Sequence, residues 1–80
     1  MQIQAIRKLV ANYSIEQLLD AESDLMEIMP LPFEVDGKDE GERLTHILAA
    51  IEILKDMHTN NVDEITALRN YFKRVRNSIS

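Results

Sequence analysis

The sequence predicts an all-α fold: a compact four-helix bundle with one short extended segment between the second and third helices. Three observations carry this. Apolar residues recur at the helical period along most of the chain, capping signals stand at the starts of the periodic runs, and both prolines and both glycines fall in one central stretch. With 80 residues the chain is read as a single helical domain, 1–80.

The first helix is predicted from Ile3, Ile6, Leu9, Val10 and Tyr13, which share one face. Ser14 then reads as an N-cap with Gln17 three residues on, a capping box that opens the second helix. Its apolar side is Ile15, Leu18, Leu19, Leu25, Met26 and Met29, and Pro30 and Pro32 are expected to end it. The third helix is expected to begin near Asp39, with Leu44, Ile47, Leu48, Ile51, Leu54 and Met57 as its stripe. Ile53 falls outside that stripe, so the apolar arc is wide for a helix with one buried face. Asn61 with Glu64 reads as a second capping box, opening a last helix striped by Val62, Ile65, Leu68, Phe72, Val75 and Ile79.

A chain this small buries only about 60–65 % of its unfolded surface, and small domains often add disulfides, a metal or a partner. There is no cysteine, which removes disulfides and thiolate metal sites and leaves self-association as the expected reinforcement. Polar residues interrupt every apolar run near the N-terminus, and no run approaches the roughly 20 residues of a membrane span. A cytoplasmic protein with no membrane contact is expected. The net charge of −5 is unevenly placed. Residues 16–42 carry ten acids against Lys38 alone, whereas residues 69–80 carry Arg69, Lys73, Arg74 and Arg76 and no acid. An acidic middle and a basic end can attract each other within one chain or between two copies.

The central stretch PLPFEVDGKDEGERLTH poses the functional question. Most of its acids have structural explanations: Asp39 as a helix cap, Glu42 reaching back to it, Glu40 in the first turn, and Asp36 with Gly37 as a turn pair. A calcium loop counted from Asp36 places Lys38 third and Ile47 twelfth, where oxygen ligands are required, so that motif fails. The alternation of Leu31, Phe33 and Val35 with polar or proline positions reads as an extended edge. Such an edge either covers the bundle or pairs with the same segment of another copy. Leu31, Phe33, Val35 and Ile53 are therefore the candidate interface, and a homodimer the expected partner, another protein being the alternative.

Glu22 interrupts the apolar side of the second helix and is a candidate buried carboxylate, with Arg7, Arg43, Arg69 or Tyr71 as possible partners. Glu42 and His46 lie one turn apart and could share a metal ion, but neither a Glu-x-x-His nor a His-Glu-x-x-His pattern occurs, so the helix-start glutamate is expected to pair with the histidine, and no cofactor is expected. His58 stands where a protonated ring would favour a helix C-terminus. No nucleophile elbow or phosphate loop is present, so an enzyme is not expected. The first two helices resemble the spacing of a helix-turn-helix, yet the would-be reading helix carries Glu16, Asp20, Glu22, Asp24 and Glu27 and no base, so the sign is wrong for a groove. The candidate basic patch is Arg69, Lys73 and Arg76, a small footprint for nucleic acid.

The runs NYSIEQL, FEVDGKDEGERLTH with LAAIEI, and ALRNYFKRVRNSIS resemble an uncharacterised family of short bacterial proteins, a domain of unknown function. The resemblance covers nearly the whole chain and implies a small stand-alone cytosolic protein. It implies no activity, cofactor or site residue. The resulting expectation is a small non-enzymatic interaction protein that self-associates. The alternative is a helical nucleic-acid binder or regulator using the last helix.

Overall fold

The computed structural model describes residues 2–79, with side-chain surroundings for residues 2–77. Four helices follow in order: α1 (Ile3–Asn12), α2 (Ile15–Met26), α3 (Glu40–Asn60) and α4 (Glu64–Ile79). Among the described residues there is no strand. α3 is the hub, since α1, α2 and α4 each make their principal contacts with it. At a rise of about 1.5 Å per residue its 21 residues span about 31 Å, the length of the molecule's longest dimension of 32 Å.

This arrangement explains the wide apolar arc. A helix packed on by three others must be apolar on more than one side, and α3 buries Ile47, Ile51 and Leu54 on one stripe and His46, Ala49, Ala50 and Ile53 on another. Ile53 is thus wholly buried in the chain's own core (0 % exposed), and its place in a candidate interface is corrected. A side chain with no surface in the single chain has none to offer a partner. The alanines let neighbouring backbones approach closely, while Ile6, Leu9, Leu18, Ala21, Leu25 and Ala67 complete the core from the outer helices.

The capping chemistry holds at two starts and shifts at a third. The Ser14 hydroxyl accepts from Gln17 N–H at 3.2 Å, and the Gln17 side chain accepts from Ser14 N–H at 2.9 Å. Asp39 accepts from Glu42 N–H at 2.8 Å, but the Glu42 carboxylate reaches one residue further back, to Lys38 N–H at 3.1 Å. The cap of α4 is Asp63, whose carboxylate accepts from Thr66 N–H at 2.8 Å. Asn61 instead closes α3 in the left-handed conformation, φ 53°, a role that asparagine tolerates well. The predicted Asn61–Glu64 box is therefore two features, a C-cap and a later N-cap. Ile79 lies in α4, but its side chain falls outside the described surroundings.

The segment between α2 and α3 bends at Pro32 and Phe33 and lies on its own bundle. Val35 is buried, Leu31 and Phe33 are half-buried against the core, and Phe33 stacks on Tyr13 with ring centroids 3.8 Å apart. Within the single chain the segment takes the covering placement. Gly37 follows with φ +158°; a Cβ there would come within 2.8 Å of Arg43 Cγ and 3.0 Å of Arg43 N. The linker can meet the start of α3 this closely because position 37 has no side chain.

Candidate functional site

The core histidine is the polar centre that the sequence placed incorrectly. His46 is fully buried, with Nε2 accepting from Gln2 N–H at 3.0 Å and Nδ1 2.8 Å from the Asp36 carbonyl. Because Nε2 accepts, the ring proton sits on Nδ1 and is donated to Asp36. The ring therefore ties the start of α1 and the linker to α3. It does not pair with Glu42, and both of its nitrogens are engaged by backbone. The signal was available: His46 shares helical spacing with Ala49, Ala50 and Ile53, a second apolar stripe. Among the described residues no group of three His, Asp or Glu side chains is placed to hold a metal ion.

Glu22 is half-buried, and no side-chain oxygen or nitrogen among the described residues is buried without a partner, so its carboxylate reaches water. The candidate buried carboxylate is corrected accordingly. Arg7, one of its expected partners, pairs with Glu64 at 3.1 Å, and Tyr71 lies edge-on to Phe72 at 5.6 Å. Burial, then the nearby Glu52 carboxylate, push the Tyr71 phenol above its ordinary value of 10.0. Arg69, Lys73 and Arg76 are all exposed, as expected of a basic stripe.

Exposed apolar surface is concentrated instead at the end of α2. Met26 is 68 % exposed, Ile28 81 % and Met29 54 %. Pro30 disfavours helical backbone at Met29, so the helix closes before the prolines. Met29 N–H donates to the Asp24 carbonyl at 2.8 Å and Ile28 N–H to the Leu25 carbonyl at 3.3 Å, the two bonds of a Schellman turn. That turn puts Ile28 at φ 59°. Glycine is the usual residue there, and a β-branched residue with positive φ is a genuine outlier.

Electrostatics add to the strain. Asp24 lies in the last turn of α2 and Glu27 at its C-cap, with no base in that turn. Acids at a helix C-terminus oppose the dipole, at about 0.3–1 kcal/mol each. Beside this end runs an open groove of about 490 Å³ between α2 and the linker, lined by Tyr13, Gln17, Asp20, Asp24 and Phe33 among others. A wider depression over α1 is lined by charges that are already paired, Arg7 with Glu64 and Lys8 with Asp36. None of the ion pairs among the described residues involves an α2 acid.

Fold and surface together define a small all-α bundle with a strained, acidic, apolar helix end. The chain belongs to a family of unknown function (DUF6952), whose model matches residues 1–80. No curated protein and no solved structure matches it. No helix among the described residues is long and apolar enough to cross a membrane.

Proposed function

We propose that the chain is a non-enzymatic protein-interaction module that self-associates in the cytosol, using the end of α2. The observation that carries this reading is Ile28. An exposed β-branched side chain is held in left-handed backbone where glycine would relieve the strain, and two exposed methionines flank it. Backbone strain of this kind collects at binding and switch regions. Methionine is suited to adaptable contact surfaces. The interface so placed replaces the one expected at Leu31, Phe33, Val35 and Ile53, which are turned onto or into the bundle.

Sedimentation equilibrium from micromolar to hundreds of micromolar is the test. The natural chain should form a dimer, and Met26→Ser with Met29→Ser should raise the dissociation constant tenfold or more with unchanged helix content. A natural chain that stays monomeric throughout refutes self-association. The exposed stripe of Arg69, Lys73 and Arg76 favours a second reading, a nucleic-acid binder, which predicts steeply salt-dependent binding. Three bases on a chain of net charge −5 make it the weaker reading.

A further inference from the structure

We infer that the occupant of the α2 surface is the α4 stripe of a second copy, laid antiparallel along the groove; this rests on the self-association proposed above. Spacing is the first argument. Asp20, Asp24 and Glu27 on α2 stand at i, i+4 and i+7, and Arg69, Lys73 and Arg76 on α4 stand at the same intervals. Each set forms one stripe about 10 Å long on its helix. Asp20, Glu27 and the three bases are exposed, Asp24 is half-buried, and Asp20 and Asp24 line the groove. No ion pair between any of these six residues exists within the chain. Arg69 also stands near enough to Asp63 to help hold its carboxyl low.

Position within the bundle is the second argument. α2 and α4 each pack on α3, and their principal contacts are with α3 and not with each other. The acids and bases are thus left to meet between copies.

Apolar register sets the direction. Ile65, 41 % exposed, lies one turn before Arg69 on the α4 stripe, and Ile28 lies just beyond Glu27 in the turn that closes α2. Antiparallel helices place Arg76 beside Asp20, Lys73 beside Asp24 and Arg69 beside Glu27, with Ile65 reaching the Met26, Ile28 and Met29 end. Parallel helices would match the charges but set Ile65 beside Glu16, one turn before Asp20 and away from the Met26, Ile28 and Met29 end. The antiparallel arrangement also sets the two dipoles side by side in opposition and supplies bases to the acidic C-terminus of α2. Two such contacts, α2 on α4 and α4 on α2, related by a two-fold axis close a dimer.

Charge exchange tests the inference. An acid-reversed chain (Asp20→Lys, Asp24→Lys, Glu27→Lys) and a base-reversed chain (Arg69→Glu, Lys73→Glu, Arg76→Glu) should each be monomeric where the natural chain is dimeric. Mixed one to one, they should form a mixed dimer whose dissociation constant is within a few-fold of the natural one. Circular dichroism of each variant alone checks folding, and the six positions have little or no burial to lose. If the natural chain dimerises and neither reversal weakens it, the inference is overturned while self-association stands. A monomeric natural chain overturns both.

Direction is read separately, since the chain has no cysteine of its own. Glu27→Cys and Arg69→Cys chains mixed under mild oxidation should cross-link readily, and Glu27→Cys with Arg76→Cys should not. The reverse preference refutes the antiparallel register.

Discussion

Replacing Ile28 by glycine should stabilise the fold while weakening its association. Left-handed backbone costs an L-residue about 1–2 kcal/mol, with β-branched residues at the upper end. Glycine removes that cost but loses about 0.5–1 kcal/mol in chain entropy. Little contact is lost, because the side chain is 81 % exposed. Its hidden fifth is worth about 0.3–0.6 kcal/mol at the usual value of a buried isoleucine. The net expectation is a gain of about 0.5–1 kcal/mol, which for a domain of this size raises Tm by about 2–8 °C. Urea and thermal unfolding followed by far-ultraviolet circular dichroism would measure it, at concentrations low enough that the monomer unfolds. Ile28→Val keeps both branching and strain and is the control. An Ile28→Gly chain no more stable than the valine chain would show that the turn is not strained, and the argument for a functional surface there would lose its basis. A glycine chain that is more stable and associates less would mark the exchange of stability for binding expected of a working surface.

His46→Ala should lower unfolding stability by about 2–4 kcal/mol, because it opens a cavity beside α3 and strands Gln2 N–H and the Asp36 carbonyl; a urea midpoint close to that of the natural chain would contradict the tie described above. Stability should also fall on the acid side. Hydrogen bonds from Asn60 and then Asn70 hold Asp56 below its ordinary 3.8, and those from Thr66 do the same for Asp63. A lowered folded value means that the contribution is complete above the ordinary value and is lost as pH falls through the folded one. Urea midpoints between pH 5 and 2 should therefore decline less steeply for Asp56→Asn with Asp63→Asn than for the natural chain.

Helix number, order and approximate bounds were legible because period, caps and prolines agreed with one another. Ser14 and Asp39 worked as read, since a cap is a local matter decided within three or four residues. Where the answer depended on distant packing, the sequence misled. Ile53 looked like spare surface because nothing local shows that three helices converge on α3. His46 looked like a partner for Glu42 because its actual partners, Gln2 and Asp36, lie 44 and 10 residues away. Met26 and Met29 counted as core on a longer helix, whereas the Schellman turn ends α2 at Met26 and leaves both exposed. The basic stripe was visible, but its match to the α2 acids needed the knowledge that the two helices pack on α3 and not chiefly on each other.

A bundle organised around one helix also determines how substitutions combine. Changes in contact or with shared partners couple, and distant ones add. Since α1, α2 and α4 meet chiefly through α3, substitutions placed one on each outer helix should act nearly independently, except at the Arg7–Glu64 pair that joins α1 to α4 directly. A substitution within the Ile47, Ala50 or Ile53 layer should alter the effect of changes on the outer helices packed against it. The outer helices can then be redesigned one at a time, and α3 only together with its neighbours.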